Sequence, residues 1–380
     1  EGTVAPVTPR RQARRIRIAL DAAIGLASAV AARGTHQQSA FLDGPCRFPP
    51  IAGGRRAVVR DDNARPAAPV RRSVRVEPKR ALRYELSMRA LLSITATIAL
   101  LTGHVAAQSK KPFSVVEATI PELRDALKRR KVTSRELVTQ YLVRIALYED
   151  RLNATLAVNG KALEEADTLD RERRQGKLRG PLHGIPVALK DNVHTTGMPT
   201  TGGALAFDGY IPPYEATLTR NLKAAGAIII AKTGMTELAN WVAGGPTPMP
   251  GNYNSAGGFG YNPYDPRKEL RPAVFDGRPV LSTGGSSSGI GTAVSFWAAN
   301  VGTETSGSIL SPANQNMLAV VKPTLGRISR YGIIPITADQ DTAGPMTRTV
   351  TDSAIMLGVL EGAKPDPEDS ATTRCTPPPK

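Results

Sequence analysis

From residue 110 onward, apolar and polar positions alternate with the periods of helices and strands. Thr133-Ser134-Arg135-Glu136 forms a capping box, and Leu137, Tyr141, Ile145 and Tyr148 recur on one face behind it. That pattern predicts a long amphipathic helix. A shorter helix is predicted over 115–128, entered through Thr119 and Pro121, since proline is tolerated in a first turn. Residues 161–174 read as a charged surface helix, 215–225 as another, and 351–360 as a last one. Residues 154–158 suit a strand. Residues 185–189 are apolar and β-branched and end at Lys190-Asp191-Asn192, a strand emptying into a polar loop. Residues 227–231 (AIIIA) predict a buried strand, and 235–241 the start of a further helix. Residues 244–282 are rich in Gly, Pro, Asn and Tyr without a period and predict a long loop, a feature that is commonly functional. Strands alternating with helices define an α/β domain with a parallel or mixed sheet. No internal repeat is visible.

Composition narrows the chemistry. The chain has 380 residues, 41% of them hydrophobic and 22% charged, which excludes wholesale disorder. Two cysteines, Cys46 and Cys375, provide neither a disulfide framework nor a cysteine zinc site. His36, His104, His183 and His194 are too dispersed for a compact metal motif. No metal centre is therefore expected.

The net charge of +16 is uneven. Residues 1–87 hold 17 Lys+Arg against 7 Asp+Glu, leaving 32 against 26 for the rest. This Arg/Ala/Pro-rich stretch suits a disordered arm or translated upstream sequence, and no nucleic-acid partner is expected. Met88 is the first methionine. Met88-Arg89, the apolar run 90–101, and Val105 and Ala107 before Gln108 have the layout of a signal peptide over 88–107. The run is too short to span a bilayer, so no stable membrane span should survive cleavage. Translation from Met88 would give an exported chain, periplasmic or secreted, with the working domain over 108–380.

Three segments carry chemistry. Residues 284–291 (GGSSSGIG) lack the Gly-Lys-Ser/Thr ending of a phosphate cradle. They do fit a G-x-S-x-G nucleophile elbow centred on Ser287, but that elbow needs a later histidine and the last one is His194. Residues 302–309 (GTETSGSI) place a serine among small residues, where backbone N–H groups can converge on an oxyanion. Lys190 stands at a strand end, and a desolvated neutral lysine can replace histidine as base.

Together with G-I-P-V-A-L-K-D-N (184–192), T-G-G-S-S-S-G-I-G-T-A-V (283–294), G-T-E-T-S-G-S-I-L-S-P-A (302–313) and D-T-A-G-P-M-T-R-T-V-T-D (341–352), the sequence resembles the amidase signature family. V-K-P-T-L-G-R-I-S-R (321–330) and G-I-I-P-I-T (332–337) agree, and the likeness runs over about 113–368. It looks nearest to secreted amidases and peptide amidases. The resemblance implies an α/β fold with a mixed β-sheet sandwiched between helices. It also implies a Ser–Ser–Lys triad: Lys190 as base, Ser286 as bridging serine and Ser308 as nucleophile. The backbone N–H groups of Thr305, Ser306, Gly307 and Ser308 would form the oxyanion hole. The implied reaction is hydrolysis of a small carboxylic or peptide C-terminal amide, through an acyl-enzyme, without cofactor. Two alternatives accompany it: a catalytically impaired or truncated remnant, and a subunit of the amidotransferase A type, working on aminoacyl-tRNA with a partner protein.

Two departures from the family pattern stand out. Ser286 to Ser308 spans 22 positions, about two fewer than the family interval, and two residues turn a helix by about 200°. The loss falls around 296–300, so either the connection is rebuilt or the triad is misaligned. The sequence also stops at Lys380, where the family continues, so the sheet and pocket are expected to be incomplete and the part present to fold poorly alone.

Overall fold

The computed structural model describes residues 112–243, 252–272, 277–285 and 287–374. The arm at 1–87, the signal segment at 88–107, both cysteines and Ser286 lie outside the described residues.

The local signals are realised first. Helix α1 (Ile120–Lys128) is capped by Thr119, whose hydroxyl and Glu122 complete a capping box. Helix α2 (Ser134–Leu152) begins with the Thr133/Glu136 box. Leu137, Tyr141 and Ile145 are fully buried, whereas Tyr148 lies 40% exposed beneath the Arg144 guanidinium. Helix α3 (Ala162–Arg174) and helix α4 (Thr217–Ala224) pack on the sheet, and α7 (Val350–Leu360) packs on its other end.

The main sheet has six strands: β1 (Thr155–Val158), β2 (Pro186–Lys190), β3 (Ile228–Thr233), β6 (Ala299–Glu304), β7 (Ala319–Val320) and β8 (Thr342–Thr347). Strands β4 (Tyr253–Asn254) and β5 (Gly258–Phe259) form a separate small hairpin. The order is β1-β3-β2-β6-β8-β7, with β3, β2 and β6 parallel and β1, β8 and β7 antiparallel to their neighbours. The parallel centre is buried throughout, as continuous apolar runs such as 227–231 require.

The helix predicted over 235–241 does not form. Met235 bridges to Ser287, and the following 3₁₀ segment Glu237–Ala243 carries Leu238, Ala239 and Asn240 at positive φ. The Leu238 N–H is drawn to the Gly202 carbonyl at 2.7 Å, a distant contact that outweighs local propensity.

The segment leading to β6 and Ser308 is irregular. Helix α5 (Ile290–Ala293) is a single turn, Ser295 adopts φ 57°, and the Phe296 N–H closes onto the Gly291 carbonyl at 2.8 Å. Trp297 is fully buried and its Nε1 donates to the Thr292 hydroxyl at 2.7 Å. Strand β6 thereby starts in register, Val187 opposite Ala299 and Leu189 opposite Val301. This plug needs a glycine under the indole. A Cβ on Gly291 would sit 2.1 Å from the Trp297 ring. Gly291→Ala gains about 1 kcal/mol of helix propensity, but forcing the ring aside costs roughly 1–3 kcal/mol or more. We expect a lower melting temperature by several degrees in a thermal scan; an unchanged or raised value would refute the packing argument.

Candidate active site

Lys190 closes β2, and because β2 lies between β3 and β6 its side chain is fully buried. Its Nζ donates to the Thr303 hydroxyl at 2.9 Å and to the Thr303 carbonyl at 3.2 Å. The Asn192 amide donates to the same hydroxyl at 3.0 Å. Burial pulls the ammonium down to about pKa 7, against the opposing pull of the Asp341 and Glu304 carboxylates.

A second buried lysine makes the contrast plain. Lys232, on β3, lies 3.2 Å from the Asp191 carboxylate and donates to the Thr200 hydroxyl at 2.8 Å. Burial lowers its pKa too, but Asp191 favours the ammonium. Asp191 also receives the Thr201 N–H and hydroxyl, so this pair staples the loop after β2. Lys232 thus holds a loop through Asp191, whereas Lys190 is held by Thr303 and lines a cavity that Ser308 also lines.

Beyond β6 the chain turns sharply through Thr305, Ser306, Gly307 and Ser308, with Gly307 at φ 89°. Glu304 secures the turn by accepting the Ile309 and Leu310 N–H groups at 2.7 and 2.9 Å, at the start of α6 (Leu310–Gln315). Among the described residues, none of the backbone N–H groups of Thr305, Ser306, Gly307 and Ser308 has an acceptor. The paired glycines let the preceding segment lie against this turn: a Cβ on Gly285 would come 2.9 Å from the Ser308 Cα.

Lys190, Thr305 and Ser308 open onto one cavity of about 460 Å³, also lined by the apolar segment 333–336. Asn192, Thr303, Arg330, Asp341 and Asp369 line it as well. Ser306 and Gly307 occupy the turn without lining the cavity. Asn192 and Asp341 escaped the sequence reading, although each belongs to a quoted motif, K-D-N and D-T-A-G-P-M. Ser287 is used elsewhere. It is buried, its hydroxyl donates to the Thr303 carbonyl at 3.0 Å and accepts the Thr303 N–H at 3.2 Å, and its own N–H bonds to the Ser308 carbonyl. That geometry locks β6 to the glycine-serine segment and does not present a nucleophile. Among the described residues no three His, Cys, Asp or Glu side chains converge as a metal set would, and no helix is long and apolar enough to cross a membrane.

Comparison with known proteins agrees with this architecture. The Amidase family model matches residues 136–380, and the chain belongs to that family, the amidase signature proteins. It is 37% identical over 263 residues to a protein of Arabidopsis thaliana named as a probable amidase, covering 68% of this chain and 48% of that one. It is 38% identical over 260 residues to the A subunit of the glutamyl-tRNA(Gln) amidotransferase of Thermosynechococcus vestitus, covering 68% and 49%. Among solved structures, the native peptide amidase of Stenotrophomonas maltophilia superposes with a TM-score of 0.63 at 39% identity, covering 71% of this chain and 52% of that one. The chain spans about half the length of the curated relatives it matches.

Proposed function

We propose that the chain carries the catalytic centre of a serine amidase that hydrolyses a small carboxylic or peptide C-terminal amide. The observation that carries this reading is a buried lysine of pKa about 7 opening onto the same cavity as a serine in a turn whose N–H groups have no acceptor among the described residues. Neutral Lys190 accepts a proton relayed from the Ser308 hydroxyl through Ser286, the bridging position of the sequence motif. The Ser308 oxygen bonds to the amide carbon, and the N–H groups of the turn stabilise the resulting oxyanion. The relayed proton then passes to the leaving nitrogen, ammonia or an amine departs, and an acyl ester remains on Ser308. Water cleaves that ester by the same route in reverse, releasing the acid.

A second reading draws on the likeness to the amidotransferase relative, in which ammonia would go to a partner-bound acceptor. One assay separates them. The purified full chain, given simple carboxamides and peptide amides, should release ammonia or amine by itself. Release that depends on added partner proteins would favour the amidotransferase reading, and no acyl-enzyme under either condition would mark a catalytically impaired remnant.

A further inference from the structure

Asp341 stands just before β8 and grips two parts of the cavity at once. One carboxylate oxygen, Oδ1, accepts from the Thr305 hydroxyl at 2.5 Å. The other, Oδ2, accepts from the Ile336 and Thr337 N–H groups at 2.7 and 3.0 Å, and the Asp341 N–H returns a bond to the Thr337 carbonyl at 3.1 Å. One side chain thus fastens the first residue of the 305–308 turn to the apolar segment that lines the same cavity.

We infer that Asp341 is a positioning residue for the proposed amide hydrolysis, fixing the 305–308 turn against the substrate wall and setting the charge that Lys190 faces. This rests on the amidase reading. Three donors converge on the carboxylate, and only a group with two acceptor oxygens can serve both sides. Asparagine has one oxygen, so its amide would point donors at donors on whichever side it abandons.

Among the described residues, the carboxylates that bear on Lys190 are Asp341, which lines the same cavity, and Glu304, and Asp341 acts more strongly in keeping the proton on it. Glu304 is engaged by the Ile309 and Leu310 N–H groups. Asp191, next to Lys190 in the chain, faces Lys232. Arg330, the cation near Asp341, is held by both Asp369 oxygens and feels Asp341 and, more weakly, Asp339. Neutralising Asp341 therefore removes the larger of two acidic influences, without releasing Arg330.

The test uses the full chain with Asp341→Asn, Asp341→Glu and Thr305→Val, and two readouts. In steady-state kinetics, each variant should lose kcat by about 10- to 100-fold with a smaller change in KM, as expected for a displaced turn. Only Asp341→Asn should also move the acid limb of the pH profile to lower pH, because Asp341→Glu keeps the charge and Thr305→Val never had it. The second readout needs no activity: NMR titration of ¹³C-lysine-labelled protein, with Lys190 assigned through Lys190→Met. Lys190 should titrate lower in Asp341→Asn and unchanged in Thr305→Val. If the unaltered chain is inactive, the amidase reading fails and the titration still judges the charge role. An unshifted Lys190 in Asp341→Asn would overturn the inference. So would variants that lose thermal stability yet keep kcat and the acid limb. Should Asp341→Asn fail to fold, unchanged kcat in both Thr305→Val and Asp341→Glu would overturn it as well.

Discussion

Replacing Lys190 with methionine should reduce amide hydrolysis by about two to four orders of magnitude, because general-base assistance contributes about 10²–10⁴-fold. In the proposed mechanism the active form of Lys190 is the neutral amine. With a pKa near 7, Lys190 is largely free amine above neutrality and ammonium below it. In the unaltered chain kcat/KM should therefore hold level at alkaline pH and fall about tenfold per unit once pH drops below about 7. The sign follows from burial: the protein interior disfavours the ammonium, so desolvation pulls the lysine down into the working range. The same shift links to stability. Between about pH 7 and the ordinary lysine value of 10.5 the unfolded chain binds the proton and the folded chain does not. This group's contribution to folding thus improves as pH rises through that window and is least favourable below it. A pH–rate profile with no ionisation near neutrality would exclude Lys190 as the base.

The parts of this protein that could be read from sequence are those whose cause is local. Thr119 with Pro121, and the Thr133/Glu136 box, announce two helix starts within a few residues each, and both form. The runs at 185–189 and 227–231 are apolar without alternation, and they become the buried parallel centre of the sheet. What sequence left open is set by contacts between distant residues. Met235 is pinned to Ser287, 52 positions away in the chain, and the helix pattern that follows it never forms. Lys190 at a strand end resembles an ordinary surface lysine until β6 brings Thr303 against it across 113 positions. Ser287 matches an elbow motif in one dimension, yet in three its hydroxyl is occupied by the backbone of β6. The motif at 184–192 could point to Lys190 but not to the cavity wall it faces.

A fluorophosphonate probe should bond to Ser308, and Ser308→Ala should abolish both labelling and hydrolysis while leaving the fold intact. Ser308 is 9% exposed and lines the cavity. Among the described residues its hydroxyl has no partner to leave stranded, so its loss should cost little stability. Hydrolysis, by contrast, loses the oxygen that forms the acyl bond. Ser287→Ala should behave in the opposite sense. It strands the Thr303 N–H and removes a donor from the Thr303 carbonyl inside β6, at a cost of about 1–3 kcal/mol. Its melting temperature should fall, while the probe still reaches Ser308. Thr303 also holds Lys190, so any loss of rate in Ser287→Ala should come with a disturbed acid limb, whereas Ser308→Ala has no residual rate to profile. Peptide mapping after labelling decides between the two serines. An adduct on Ser287 would mean that the hydroxyl locked into β6 is the nucleophile after all, and that the cavity beside Lys190 is not where the chemistry occurs.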